Sequence, residues 1–269
     1  MAGAQTLTLI GAGRMGTALL RGWLASGLPG PIRVLEPQPG DELKAWATSG
    51  RVRLNPDPQP SALLVMAVKP QQFTASSEVA RLFAGPETLA VSIMAGVKLA
   101  QLSRGLGTAR VIRAMPNTPG AIGRGVTAFA APEEMDAAGI AEARRLLAPL
   151  GEVHGPVDEA LMPAVTALSG SGPAYLFLLA ETMAAAGEAE GLPRELAEAL
   201  ARRTVEGAAA LLAQSGEAPD ALRRAVTSPG GTTQAALDIL MGTGGMPDLL
   251  KEAIRAAASR DRQLSKEAG

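Results

Sequence analysis

Short apolar runs alternate with helix-type segments along the first half of the chain. The runs are rich in Leu, Val and Ile and lie at residues 7–10, 32–35, 62–68, 89–93 and 110–114. Continuous runs of this kind are typical of strands that are covered on both faces of a parallel sheet. The segments between them predict helices at residues 15–26, 41–49, 71–82 and 99–106. This alternating order predicts a parallel, doubly wound α/β sheet of the Rossmann type with right-handed crossovers.

The second half of the chain has a different pattern. Two more strands are predicted at residues 127–130 and 152–154, around a helix at 133–150, and beyond about residue 156 Ala, Leu, Glu and Arg dominate. Helices are predicted there at residues 173–187, 193–216, 217–226, 232–241 and 247–266. We therefore predict a Rossmann-type α/β domain at residues 1–155 and an all-α domain at residues 156–269. The Ala-rich helix faces suggest that part of the second core comes from another chain.

Composition excludes several classes of partner. Among 269 residues, 26 acidic side chains oppose 25 basic ones, which gives no electrostatic reason to expect a nucleic acid or an anionic membrane. The chain has no Cys and one His, so disulfides, thiolate metal sites and multi-His metal centres are excluded, and no metal is expected.

The sequence also bears on the cellular location of the protein. Residues 1–6 carry no basic residue and do not resemble a signal peptide. Residues 160–180 carry no charge, but Gly170, Gly172 and Pro173 interrupt them, so a buried helix is expected rather than a membrane span. The predicted location is cytoplasmic.

A glycine-rich motif joins the first strand to the first helix. Gly11 is suited to the tight turn, Gly13 to the close approach of a pyrophosphate, and Gly16 to the contact of helix and strand. Glu36 ends the second strand 20 residues after Gly16, where an acidic residue binds the ribose 2′-hydroxyl. A carboxylate there repels a 2′-phosphate and favours NADH over NADPH, unless nearby Arg14 and Arg33 offset it.

The chain lacks an obvious proton donor for ketone reduction. Residues 158–190 contain neither Lys nor Arg, and His154 is expected at the surface or at the domain junction. Hydride addition to a ketone produces an alkoxide that needs such a donor, whereas a protonated cyclic imine is already electrophilic. An imine substrate is therefore favoured over a hydroxyacid.

A second anion-binding motif lies near the C-terminus. Ser228, Pro229, Gly230 and Gly231 precede Thr232 and Thr233 at the start of a predicted helix. Free N–H groups, the helix dipole and capping hydroxyls predict a cradle for a substrate carboxylate, although a simple capped turn remains open on local sequence alone.

The chain resembles the pyrroline-5-carboxylate reductase family through motifs that run almost from end to end. These are Gly11–Gly16, AVKP at 67–70, AGV at 95–97, RVIRAMPNTP at 110–119, LSGSGPAY at 168–175 and SPGGTT at 228–233. The resemblance implies a Rossmann domain followed by a helical domain that interlocks with a second subunit. It also implies a homodimer, often assembled further into a decamer as a pentamer of dimers, and reduction of 1-pyrroline-5-carboxylate to L-proline by NADPH or NADH.

The resemblance also assigns residues. For the cofactor these are Val68, Lys69, Pro70, Ile93, Met94, Ala95, Met115 and Asn117, which add to Glu36 and to the motif residues Gly11, Ala12, Gly13, Arg14, Met15 and Gly16. Ser228, Gly230, Gly231 and Thr232 are expected to bind substrate, and Thr233 is expected to be the catalytic residue beside the imine nitrogen. Glu36 departs from the small polar residue that many relatives have, and a cofactor contact from Asn55 is left open.

Two other functions stay open at this point. One is a related two-domain dehydrogenase that acts on a hydroxyacid or on another cyclic imine. The other is a non-catalytic dinucleotide-binding protein, against which the intact 228–233 motif argues.

Overall fold

Eight strands form one sheet within residues 6–28 and 32–267, which the computed structural model describes. They are β1 (Leu7–Ile10), β2 (Ile32–Leu35), β3 (Val52–Leu54), β4 (Leu63–Met66), β5 (Leu89–Ser92), β6 (Val111–Met115), β7 (Gly125–Ala130) and β8 (Gly151–His154). Their order across the sheet is β3-β2-β1-β4-β5-β6-β7-β8. The strand order reverses between β1 and β4, which is the switch point where open α/β sheets bind ligands.

Strand directions confirm the predicted doubly wound sheet, with one exception. Strands β1 to β6 pair in parallel, β7 runs antiparallel to β6, and β8 is parallel to β7. Along β4, Leu63 and Val65 belong to one buried cluster, while Leu64 and Met66 belong to another. Because both faces of the strand are covered, every position is apolar, which explains the continuous run in the sequence.

Five helices pack on this sheet. They are α1 (Arg14–Ala25), α2 (Asp41–Thr48), α3 (Phe73–Arg81), α4 (Leu99–Leu106) and α5 (Ala137–Leu147). Trp23 on α1 is fully buried in the larger cluster, and its indole N–H donates to the Leu146 carbonyl at 2.8 Å. This bond satisfies the polar atom of the largest core side chain and joins α1 to the end of α5.

The structure contains one strand that was not predicted, and one predicted helix is markedly shorter. Strand β3 was not predicted, since it has three residues at the edge of the sheet and only Val52 is buried. The helix predicted at 133–150 is shorter, because Asp136 caps the N-terminus of α5 by accepting from Gly139 N at 2.6 Å. Its last residues, Ala148–Leu150, form a separate 3₁₀ turn that contains Pro149.

Tertiary contacts divide the chain into two units, Met1–Gly170 with Ala257–Gly269, and Ser171–Ala256. The bounds differ from the predicted domains, since α6 (Met162–Val165) and the π-helical turn Thr166–Gly170 belong to the first unit. The end of the last helix also belongs to the first unit. It lies so close to Gly96 that a Cβ added there would be 3.3 Å from Leu264 Cβ.

The second unit is helical, as predicted. Its helices are α7 (Gly172–Ala189), α8 (Arg194–Ser215), α9 (Pro219–Ala225), α10 (Thr232–Leu240) and the first half of α11 (Met246–Glu267). Pro173 lies in the first turn of α7, where its missing N–H costs no helical hydrogen bond.

The helical run at 159–189 is the one segment of the described chain whose length and apolar composition suit a membrane span. Only 17% of its most apolar window is buried within the chain. Phe177 on α7 is 68% exposed, and Leu176 and Leu178 are about half exposed. The described part of the chain leaves this apolar surface exposed, and such a surface is typical of an interaction site.

Candidate dinucleotide site and carboxylate cradle

The glycine-rich loop is closed by contacts that only glycine permits. Gly11 has φ +91°, and a Cβ there would lie 2.7 Å from the Ala67 carbonyl oxygen. A Cβ at Gly16 would lie 2.2 Å from the Gly11 carbonyl oxygen. Gly13 differs from both, because a Cβ there meets no atom within 4 Å. Glycine at 11 and 16 is therefore required by the fold, whereas at 13 it keeps a space open.

The N-terminus of α1 beside that space has no side-chain cap. Gly13 is the N-cap residue, no side chain caps the helix, and its first turn carries no acidic residue. Arg14 and Met15 are the first two helical residues, and Ala12 lies in the loop before them. Free N–H groups and the positive end of the helix dipole suit a pyrophosphate, so the loop fits the group that the sequence predicts.

Glu36 lies at the mouth of this loop. Its carboxylate accepts from Ala12 N at 2.8 Å and from Gln38 N at 3.0 Å. The predicted offset by Arg33 is wrong, because that side chain is buried and donates to the Gln59 carbonyl and side-chain oxygens, each at 2.9 Å. Arg14 is exposed on the helix start.

The other predicted cofactor residues lie at the carboxyl ends of parallel strands. Val68, Lys69 and Pro70 follow β4, Ile93, Met94 and Ala95 follow β5, Met115 ends β6, and Asn117 follows it. The sheet therefore brings this set to one edge, beside the glycine-rich loop.

Two of these residues have defined surroundings. The Met94 side chain is 2% exposed within the core, so only its backbone is available to a ligand. The Asn117 side-chain oxygen accepts from Val126 N at 3.0 Å, which leaves its NH₂ group as the donor.

A buried charge network behind this edge was missed by the sequence analysis. Arg113 on β6 is 3% exposed and lies 3.5 Å from Asp261 Oδ2 and 3.4 Å from Glu159 Oε1. Burial raises the pKa of the Asp261 carboxyl, although Arg113 opposes the shift. Since 148 positions separate Arg113 from Asp261, no local pattern could have indicated the pair.

The cradle in the second unit begins with a tight turn. Gly231 N donates to the Ser228 carbonyl at 3.0 Å, and Gly230 within the turn has φ +70°. Pro229 followed by a glycine with positive φ is typical of a type II turn. Ser228, Gly230 and Thr232 are exposed, and Gly231 and Thr233 are half-buried.

Helix α10 starts directly after this turn, and one detail corrects the sequence analysis. Its N-cap is Gly231, no side-chain hydrogen bond caps it, and its first turn carries no acidic residue. The hydroxyls of Thr232 and Thr233 are therefore free of the capping role expected for them. Because the Gly231 N–H is used within the turn, the N–H groups of Thr232 and Thr233 are the donors at the helix start. Such an end suits a carboxylate.

His154 lies at the surface of the first unit. Its side chain is 58% exposed and its Nε2 lies 3.0 Å from Glu152 Oε1 on the same strand. This surface position is the one expected from the sequence.

A doubly wound sheet with this loop, followed by a helical unit, defines the class of two-domain, dinucleotide-binding oxidoreductases. The family model described as "NADP oxidoreductase coenzyme F420-dependent" matches residues 6–96. The one described as "Pyrroline-5-carboxylate reductase dimerisation" matches residues 159–264. The chain belongs to the pyrroline-5-carboxylate reductase family.

Individual relatives agree over nearly the whole chain. The pyrroline-5-carboxylate reductase of Synechocystis sp. is 39% identical over 97% of this chain and 98% of its own. That of Pseudomonas aeruginosa is also 39% identical, over 98% of each. The solved structure of a pyrroline-5-carboxylate reductase from Coxiella burnetii has a TM-score of 0.86 at 33% identity, covering 97% of this chain and 99% of its own. The resemblance seen in the motifs is thus confirmed.

Proposed function

We propose that the protein reduces 1-pyrroline-5-carboxylate to L-proline, with NADH or NADPH as hydride donor. The observation that carries the proposal is the uncapped start of α10 behind the Ser228–Gly231 turn, in a chain of this family. That helix start offers donors for one small anion, and the substrate carries one carboxylate.

A nicotinamide held by the residues at the carboxyl edge of the sheet would supply a hydride to C5 of the ring. A proton on the ring nitrogen completes the change, so that the C=N bond becomes a C–N bond. Because the protonated imine is electrophilic and the product amine is not an alkoxide, no strong acid is required from the protein. This agrees with the absence of Lys and Arg from residues 158–190 and with the exposure of His154.

Each part of the cradle has a separate task in this proposal. The N–H groups of Thr232 and Thr233 hold the carboxylate, and the Ser228 hydroxyl adds a further donor. Gly230 and Gly231 form the turn that keeps the helix start open. The Thr233 hydroxyl hydrogen-bonds the ring nitrogen and orients it.

The residues at the carboxyl edge of the sheet hold the dinucleotide. The Gly11–Gly16 loop receives the pyrophosphate, and Glu36 accepts from the ribose hydroxyls. Residues 68–70 border the adenosine, and Ile93, Met94, Ala95, Met115 and Asn117 border the nicotinamide. We propose that NADH is preferred, since a fixed carboxylate at Glu36 repels a 2′-phosphate.

We also propose that the protein is a cytoplasmic homodimer that assembles into a decamer of five dimers. The exposed apolar side chains of α7, with Phe177 at 68%, favour burial against a second copy. Gly170, Gly172 and Pro173 interrupt the uncharged segment at residues 160–180, which disfavours a lipid bilayer as its environment. The lack of cysteine fits a reducing compartment.

Steady-state assays test the reaction. The purified oligomer is supplied with 1-pyrroline-5-carboxylate and either NADH or NADPH, and cofactor oxidation and proline formation are measured together. A six-membered cyclic imine acid and a 2-hydroxyacid run in the reverse direction are the comparison substrates. We expect the five-membered imine to have the highest kcat/KM. No oxidation of either cofactor, or faster turnover of a comparison substrate, contradicts the proposal.

A further inference from the structure

Asn55 has an unusual backbone conformation. Among the described residues it is the one non-glycine residue with positive φ, at 45°. It follows the edge strand β3, and its N–H donates to the Val34 carbonyl at 2.8 Å. Asn adopts this left-handed region at lower cost than most residues, but the conformation still has to be maintained by local contacts.

Those contacts are made with the peptide of Glu36. Glu36 N donates to Asn55 Oδ1 at 2.9 Å, and Asn55 Nδ2 donates to the Glu36 carbonyl at 3.1 Å. The Asn55 amide thus bonds both polar groups of the Glu36 main chain. Main-chain position at the end of β2 is therefore set by one side chain from the neighbouring edge strand.

The Glu36 side chain is held as firmly as its backbone. One carboxylate oxygen accepts from Ala12 N and the other from Gln38 N. With Arg33 bound to Gln59, no contact from that cation neutralises the carboxylate. The carboxylate is thus held in one position next to the glycine-rich loop.

We propose that Asn55 is a positioning residue that fixes Glu36 against the adenosine ribose and so makes the protein select NADH over NADPH. The inference rests on the proposed function, since it assumes that the glycine-rich loop receives a nicotinamide dinucleotide. A carboxylate that cannot rotate accepts hydrogen bonds from the ribose hydroxyls and cannot withdraw from a 2′-phosphate. Once Asn55 is lost, Glu36 gains freedom to move, so NADH binds less tightly and NADPH is excluded less strongly.

Binding measurements without substrate test this role. Dissociation constants for NADH and NADPH are obtained from nucleotide fluorescence for the intact oligomer, Asn55→Gly, Glu36→Gln and the double variant. Glycine keeps the left-handed backbone and removes only the side-chain amide. We expect wild-type protein to bind NADH at least about tenfold more tightly than NADPH, and Asn55→Gly to reduce this ratio at least about threefold.

The double variant separates positioning from direct contact. If Asn55 acts through Glu36, Asn55→Gly changes the ratio little once Glu36→Gln is present. If Asn55 touches the nucleotide itself, the two effects add, and the inference is overturned. Thr48→Ala is the matched control, because its exposed hydroxyl bonds only the Lys44 carbonyl within the neighbouring α2.

Hydrogen exchange gives a second readout. Ala12 N–H is bonded to Glu36, so its exchange in the nucleotide-free protein should quicken in Asn55→Gly and not in Thr48→Ala. If Asn55→Gly does not fold, Asn55→Ser is measured in its place. Wild-type protein that binds neither nucleotide contradicts the proposed reaction, whereas equal binding of both contradicts this inference and the proposed NADH preference but not the reaction.

Discussion

Three alanine substitutions in the glycine-rich loop should separate stability from nucleotide binding. At Gly13 a new Cβ meets no atom within 4 Å, and its φ of −67° suits any residue. At Gly16 the same atom would lie 2.2 Å from the Gly11 carbonyl oxygen, and at Gly11 it would lie 2.7 Å from that of Ala67. The sequence motif alone does not distinguish these three glycines, but their surroundings in the structure differ.

The contacts set the expected magnitudes. Gly13→Ala should change the free energy of unfolding by about 1 kcal/mol or less, since it adds a methyl group in open space at a helix cap. Gly16→Ala should cost about 3 kcal/mol, because a backbone oxygen must move. Gly11→Ala should cost a similar amount, since its φ of +91° adds to the overlap.

The variant with the smallest loss of stability, Gly13→Ala, should nevertheless bind the nucleotide less tightly. The methyl group of Gly13→Ala occupies the space that we assign to the pyrophosphate, so NADH affinity should fall at least about tenfold, or about 1.4 kcal/mol. Urea unfolding and NADH fluorescence titration measure the two quantities on the same preparations. Wild-type affinity in Gly13→Ala, or a loss of stability there equal to that in Gly16→Ala, refutes the reasoning.

The remaining predictions concern the cradle, the buried charge and the core. Thr233→Val should lower kcat at least about tenfold in the steady-state assay, whereas Thr232→Val, which keeps its N–H donor, should not. Burial raises the pKa of Asp261, so its stabilising effect is complete below the ordinary carboxyl pKa and declines as the pH rises through the raised value. Urea unfolding between about pH 4 and 7 should show this decline in wild-type protein relative to Asp261→Asn. Trp23→Phe should cost about 1–3 kcal/mol of unfolding free energy, because the Leu146 carbonyl loses its buried donor.

Much of the first unit could be predicted because its signals are local. Strands β1 and β2 have their predicted bounds, since each is a short run dominated by Leu, Ile and Val that is buried within the sheet. Glu36 was found by its spacing from Gly16, and the structure places its carboxylate 2.8 Å from the loop at Ala12. Strand β3 was not predicted because it is a short edge strand in which only Val52 is buried, so it leaves no apolar run in the sequence.

Features that depend on distant or directional contacts were not predictable. Arg33 looked like a free cation beside the loop, but Gln59, 26 positions away, binds it. The cradle motif was visible, yet only the turn geometry shows that the Gly231 N–H is already used. A cofactor contact from Asn55 was left open by the sequence, and its two hydrogen bonds to the Glu36 peptide could be seen only in the structure.

Transfer of isotope from cofactor to product tests the central claim most directly. NADH carrying deuterium at the transferred position of the nicotinamide C4 is incubated with 1-pyrroline-5-carboxylate and the purified oligomer, and the product is analysed by mass spectrometry and NMR. The account predicts L-proline with one deuterium at C5, and a yield that falls sharply in Thr233→Val and in Gly13→Ala. Unlabelled proline, label at another carbon, or oxidised cofactor without proline would contradict it.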